Sequence, residues 1–191
     1  MITGAVRDEL IARYGEPHRR YHTMTHIEDC LAQVAASTDF SDEQRSLMDA
    51  AIWFHDAIYD ATRHDNEAES ARLAVERLSA IGAERALIDE VSRLILLTAG
   101  HSVEAGDAIG ARLVSIDLSI LGASPERYDA YADAIRFEYG HVPEPLYRAG
   151  RAAILKRFLE SGRLFADPVW AERFEEQARA NLAREIGALT A

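Results

Sequence analysis

Ile52-Trp53-Phe54-His55-Asp56-Ala57-Ile58-Tyr59-Asp60 sets a histidine beside an aspartate inside an otherwise apolar run. Leu47, Ala51, Phe54 and Ile58 recur at helical spacing, and Ser41 with Gln44 supplies a capping box, so the spacing predicts one helix running from about residue 42 through the doublet. Imidazole and carboxylate are costly to bury alone, so an adjacent pair in such a run needs mutual pairing, a polar network or a cation. Neighbouring side chains on a helix point about 100° apart, which lets both reach one ion only where the helix edge borders a cavity.

On either side of this stretch the apolar residues keep a period near 3.6, and no run alternates cleanly as a strand would. The expected fold is all-α, a single-domain helical bundle of about eight to nine helices spanning 1–191. The first helix follows Thr3 and carries Val6, Leu10 and Tyr14 to Gly15. The second begins near Thr23 to Thr25, with a Thr25/Glu28 box and an inner stripe of Ile27, Leu31 and Val34. His26 lies at its start, and His22 sits either on the same face or in the preceding turn.

Beyond the doublet, Asp65 or Asn66 caps a helix through Ala68, Ala71, Val75 and Leu78 that ends at Gly82. Leu87, Val91, Leu94 and Thr98 mark another, closing at Gly100-His101, and the Gly- and charge-rich stretch to Gly110 reads as the mobile loop. Ser124-Pro125 and Asp167-Pro168 open two later helices. Between them, a helix through Leu146, Ile154 and Phe158 ends at Gly162. No repeat or linker divides the chain.

The 191 residues suffice for one substantial core, and the charge of −11 argues against a nucleic acid duplex or an anionic membrane as partner. A small phosphorylated substrate is still compatible, because a bound divalent cation reverses the local field. No stretch is long and apolar enough for a membrane span, and residues 1–14 lack the order of a secretory signal, so the expectation is a cytoplasmic protein. A single cysteine, Cys30, rules out an internal disulfide and a thiolate-rich zinc site, leaving His, Asp and Glu as ligands.

Four residues stand out as ligands: His26, His55, Asp56 and Asp117, the last set among Val114, Ile116, Leu118 and Ile120. Two imidazoles and two carboxylates suit Mn, Fe, Co, Ni or Zn and can leave positions open to water, which then becomes a nucleophile near neutral pH. The bland alternative pairs Asp56 or Asp117 with Arg72, Arg93 or Arg136.

Read together, Tyr21-His22-Thr23-Met24-Thr25-His26-Ile27, Phe54-His55-Asp56 and Ile116-Asp117-Leu118 resemble the HD-domain superfamily of metal-dependent phosphohydrolases. Residues 53–60, Asp65-Asn66-Glu67 and Asp117-Leu118-Ser119-Ile120-Leu121-Gly122 resemble a branch of small HD proteins. Tyr131, Arg136, Glu138, Tyr139 and Gly150-Arg151 do so too. The resemblance spans most of the chain. It implies a bundle in which His26, His55, Asp56 and Asp117 bind one divalent ion (Mn, Co, Ni, Zn, Fe or Mg) and activate water against a phosphoester.

Some alarmone-hydrolysing relatives carry a Glu-Asp pair three and four residues after the aspartate. Tyr59 and Asp60 stand there in this chain, so Asp60 is the candidate acid or base and alarmone hydrolysis is disfavoured. Asp60 reads equally as a turn residue. His22, His101 and Arg20 are candidate substrate contacts; the histidines read otherwise as solvated helix-end residues. Arg19, Arg20 and Arg151 are phosphate donors in the functional reading and surface ion pairs in the bland one.

The partner expected is a small phosphorylated molecule, nucleotide-like in one version, bound by a monomer or homo-oligomer. Two rival readings keep the scaffold: a di-iron oxygenase, and a non-catalytic nucleotide-binding sensor.

Overall fold

Local capping and apolar spacing lay out the helices of the computed structural model, which describes residue 2 and residues 4–191. They are α1 (Gly4–Tyr14), α2 (Met24–Ala36), α3 (Asp42–Phe54), α4 (Asn66–Ala80), α5 (Arg85–Leu97) and α6 (Ala108–Asp117). A 3₁₀ helix (Leu118–Gly122) follows, then α7 (Pro125–Glu138), α8 (Glu144–Glu160) and α9 (Pro168–Thr190). There is no strand among the described residues, so the chain is all-helical. The expected start of α1 at Thr3 lies outside the described residues. No single helix is long and apolar enough to cross a membrane among the residues described.

The chain divides into two compact units, Met1–Leu113 and Val114–Ala191, with α6 running through the boundary. In the first unit α5 packs against α4 and α3, and α2 against α3. Leu10, Tyr14, Ile27, Met48, Ile52, Phe54, Val91 and Leu94 are buried there.

Three capping assignments hold. Ser41 accepts from the Gln44 amide at 3.2 Å while the Gln44 side chain accepts from the Ser41 amide at 2.9 Å. Ser124 and Asp167 cap α7 and α9, each ahead of a proline in the first turn.

In the second unit α9 packs on α8 and on the 3₁₀ helix. Gly122 is required at that contact: a Cβ there would stand 2.6 Å from Phe174 Cβ and 2.8 Å from its backbone oxygen. Asn181 Nδ2 donates to the Leu121 and Ala123 carbonyls, both at 2.9 Å, taking up acceptors that the 3₁₀ helix leaves over.

Several boundaries differ from the expectation. α3 ends at Phe54 instead of running through Ile58, because the next amides find other partners: Ala57 closes a tight turn to the Phe54 carbonyl at 3.0 Å, and Ile58 donates to Ser70 Oγ at 3.0 Å. α2 begins at Met24 with Thr23 in the N-cap position and no side-chain cap, so Thr25 lies inside the first turn and the Thr25/Glu28 box is not the cap; His22 falls in the preceding turn. The supposed loop up to Gly110 is shorter, since α6 already starts at Ala108. On α8 the buried face holds Tyr147, Ala152 and Leu155, one position round from Leu146, which is 65% exposed, and from Ile154. The Arg136 guanidinium over the Tyr147 ring, 4.5 Å from its centroid, holds that orientation.

Glu9 on α1 ties the first unit together. Arg77 on α4 donates Nε to its Oε2 at 2.6 Å and Nη2 to its Oε1 at 3.1 Å, and Arg13 adds Nη2 at 2.9 Å and Nε at 3.2 Å. The Arg77 hydrogen bond, against a smaller opposing effect of burial, lowers the Glu9 carboxyl from 4.5 to about 2. A carboxyl lowered on folding stabilises above its unfolded pKa and loses that contribution as pH falls through the folded one. The stability gap between wild type and Glu9→Gln should therefore be level above pH 4.5 and close as pH approaches about 2. The plateau should be about 1–2 kcal/mol after solvent screening, read from urea midpoints. A gap that persists unchanged at the acid end would contradict the assignment.

Candidate metal centre

The early end of α3 resolves the geometry that a continuous helix would have made difficult. His55 is the C-cap of α3, still with helical dihedrals (φ −57°, ψ −38°), and Asp56 follows in the turn, so only the histidine keeps a helical direction. The buried His55 ring is anchored by Nδ1, which lies 2.9 Å from the Ile52 carbonyl. A carbonyl can only accept, so Nδ1 carries a proton and Nε2 is the nitrogen left to face the neighbouring groups. That Nε2 faces Asp56 Oδ2 at 3.0 Å and His26 Nε2 at 3.3 Å, and His26 Nε2 lies 3.7 Å from the same Asp56 oxygen.

His26 comes from the first turn of α2. Three polar atoms thus converge from α2 and from the end of α3, and such a set is satisfied by protons shared among them or by a cation in their midst. Burial alone would push the Asp56 carboxyl up, but the charges of His55 and His22 and the His55 hydrogen bond hold it well below the usual carboxylate range.

α6, which both units share, ends at Asp117. His26, His55 and Asp117 each offer one ligand atom, and these lie within 4.8 Å of one another, a group able to hold a metal ion. Nitrogen and carboxylate oxygen donors fit the divalent ions named from sequence. The arginines of the bland alternative are engaged elsewhere: Arg72 with Glu69, Arg93 with Glu90 and Asp107, and Arg136 with Glu144.

His22 is half-buried beside the centre. Its ring stacks on Tyr59 with centroids 4.1 Å apart and stands 6.2 Å from the His26 ring. Asp60 is exposed and acts as a turn residue: its Oδ1 accepts from the Thr62 amide at 2.8 Å and from the Thr62 hydroxyl at 2.7 Å, and these bonds hold its carboxyl low. Asn66 clamps the Asp60 backbone from both sides, accepting from its amide at 3.1 Å and donating to its carbonyl at 2.9 Å. Asn66 is therefore the first residue of α4 and a brace, with Asp65 as the N-cap position. His101 closes the turn after α5 in the left-handed region, φ 52°, its amide bonded to the Leu97 carbonyl at 2.9 Å. Arg20 is exposed.

Two residues had been read differently from sequence. Arg19 is not on the surface: its side chain is 0% exposed, and it pairs with the partly exposed Glu16 at 3.0 Å. Cys30, considered only for disulfides and thiolate sites, lies one helical turn after His26 with Sγ 3.8 Å from the His26 Nδ1, and the four-residue spacing was the available signal. Tyr14, whose hydroxyl donates to the Trp53 carbonyl at 3.0 Å, is kept protonated by burial and by the charge of Asp56. Comparison of the chain with family models, with curated proteins and with solved structures gives no match.

Proposed function

We propose that the chain is a metal-dependent phosphohydrolase of the HD type, acting on a phosphoester of a small, nucleotide-like substrate. The observation that supports this most is the meeting of His55 Nε2, His26 Nε2 and Asp56 Oδ2 within 3.7 Å, with His55 Nδ1 tied to the Ile52 carbonyl so that Nε2 is the nitrogen turned to the cluster. His26, His55, Asp56 and Asp117 would hold one divalent ion. When bound, such an ion lowers the pKa of a coordinated water and polarises a phosphoryl oxygen.

The residues themselves do the rest. Ile52 keeps the His55 ring in one orientation through its carbonyl, and the fields of the histidines keep Asp56 ionised at neutral pH. His22, braced against Tyr59, is placed to donate to a phosphate oxygen beside His26. Asp60, exposed and held ionised by Thr62 in the turn just past the doublet, is a poor proton donor near pH 7, which leaves orienting water or substrate as the role open to it.

The test is a screen of phosphomonoesters, nucleotides and cyclic nucleotides after reconstitution with Mn2+, Co2+ or Zn2+, beside elemental analysis. One equivalent of metal and turnover of at least one substrate class are expected. Metal at about 100 times its Kd should add ~2.7 kcal/mol of stability, a rise in Tm of roughly 5–10 °C for a chain of this size that chelation reverses. Paired iron by spectroscopy would favour the oxygenase, and tight nucleotide binding without turnover the sensor. No metal binding at all would overturn the proposal.

A further inference from the structure

We infer that Arg19 is a positioning residue of the metal centre, a latch that fastens the turn carrying His22 to the turn carrying Asp56. The inference rests on the metal-centre reading for its consequence, and on hydrogen bonds within the first unit for its geometry. Arg19 Nη1 donates to the Asp56 carbonyl at 2.7 Å and to the His22 carbonyl at 3.2 Å, while Nη2 donates to the Ala57 carbonyl at 3.1 Å. Nε donates to Glu16 Oε2 at 3.0 Å, which sets the plane of the fork. The guanidinium carbon lies 5.3 Å from the Tyr14 ring centroid and 5.5 Å from that of Tyr59, the ring on which His22 stacks.

A buried cation is costly unless its donors are satisfied, and here they are spent on backbone carbonyls rather than held out to a ligand. The carbonyls it takes include those just past the end of α3, the negative pole of that helix, where a cation is favoured. The carbonyls that α3 itself leaves over go to the His55 ring, the Tyr14 hydroxyl and the Ala57 amide, so Arg19 acts on the turn just beyond the helix. Arginine suits the task because one planar group presents five N–H bonds in a fixed fork. Lysine offers a point charge that cannot span three carbonyls from two segments. Freed from the latch, the His22 and Asp56 turns would shift independently, and ligand atoms displaced by a fraction of an ångström bind metal less well.

The experiment compares Mn2+ binding by calorimetry in the wild-type chain, Arg19→Gln, Arg19→Lys and Arg45→Gln. Arg45 donates to the Ser37 and Phe40 carbonyls, a similar clamp at the far end of α2 and α3. Arg19→Gln should weaken Mn2+ roughly 10–100-fold, with Arg19→Lys in between. Arg45→Gln should lose stability yet bind Mn2+ as wild type does. A folded Arg19→Gln protein with wild-type Mn2+ affinity would overturn the inference.

If Arg19→Gln does not fold, Glu16→Ala replaces it; that change removes the acceptor that orients the fork, together with the exposed pairing to His18, and unchanged Mn2+ affinity there is equally adverse. If the wild-type chain binds no divalent ion, the metal-centre reading fails and the latch is judged by hydrogen exchange of the metal-free chain. Faster exchange of the Thr23, Ala57 and Ile58 amides in Arg19→Gln but not in Arg45→Gln supports it, and equal exchange refutes it.

Discussion

Alanine at His55 is expected to weaken Mn2+ binding by more than about 100-fold and to take turnover below detection. Partners that merely support a ligand are worth 10–100-fold, so removal of a donor atom should exceed that range. His55 is the most exposed to such a test because its Nε2 lies within hydrogen-bonding distance of both other acceptors of the first unit, at 3.0 and 3.3 Å. The change also removes a buried ring, and the resulting loss of stability would cloud the result if it stood alone.

Asp56→Asn separates the two effects. An amide keeps the shape of the carboxylate and can donate to a neighbouring Nε2, so the metal-free variant should stay folded, giving up only the charge interaction that holds the Asp56 carboxyl low, while its metal affinity collapses. Melting curves with and without a chelator, beside elemental analysis, read both quantities. A full equivalent of metal in either variant would end the metal-centre reading.

The contrast between these two residues and Arg19 shows which information sequence carries. Helix starts were legible because their causes are local: Ser41 and Gln44, Ser124 and Pro125, Asp167 and Pro168 each act within a few positions of one another. The doublet was legible as a pair in need of partners for a related reason, since burying two polar side chains side by side demands them whatever the fold.

The end of α3 was not legible. The turn beyond it is held by Ser70 on α4, which takes the Ile58 amide, and by Arg19, which takes the carbonyls of Asp56 and Ala57, and neither lies within the reach of a helical period. The same holds for α8, where apolar residues on two sides of the helix give no means of choosing Tyr147 and Leu155 over Leu146 and Ile154 before the Arg136 contact is known. Arginine is the least readable residue type in this chain. Identical side chains serve as a buried latch at Arg19, as a surface pair at Arg85 and as a core cation at Arg151.

Leucine at Glu185 is expected to cost the second unit about 3–5 kcal/mol, because it strands a buried cation. Arg151 on α8 donates Nε to Glu185 Oε1 at 2.8 Å and Nη2 to Oε2 at 3.2 Å, and both side chains are only 11% exposed. Tyr128 on α7 donates its hydroxyl to the same carboxylate, and Arg151 Nη2 also donates to the Tyr131 hydroxyl at 3.2 Å. Burial first, and then the hydrogen bond and charge of Glu185, hold the Tyr128 hydroxyl far above the usual tyrosine range, so it remains a donor throughout the working pH range.

Three helices thus share one carboxylate, and its loss leaves a guanidinium and a phenol without their acceptor. Arg151→Met alone should also be costly, by leaving Glu185 buried and charged, whereas Glu185→Leu with Arg151→Met should recover most of the loss, since apolar replacement of a whole buried pair is often neutral. The chain has two tryptophans, so denaturant unfolding followed through Trp170 in a Trp53→Phe background reports the second unit by itself. A double variant no more stable than the sum of the single losses would show that the three residues do not act as one network. Loss of turnover in a folded Arg151→Met protein would return Arg151 to the phosphate-binding role that its buried pairing with Glu185 argues against.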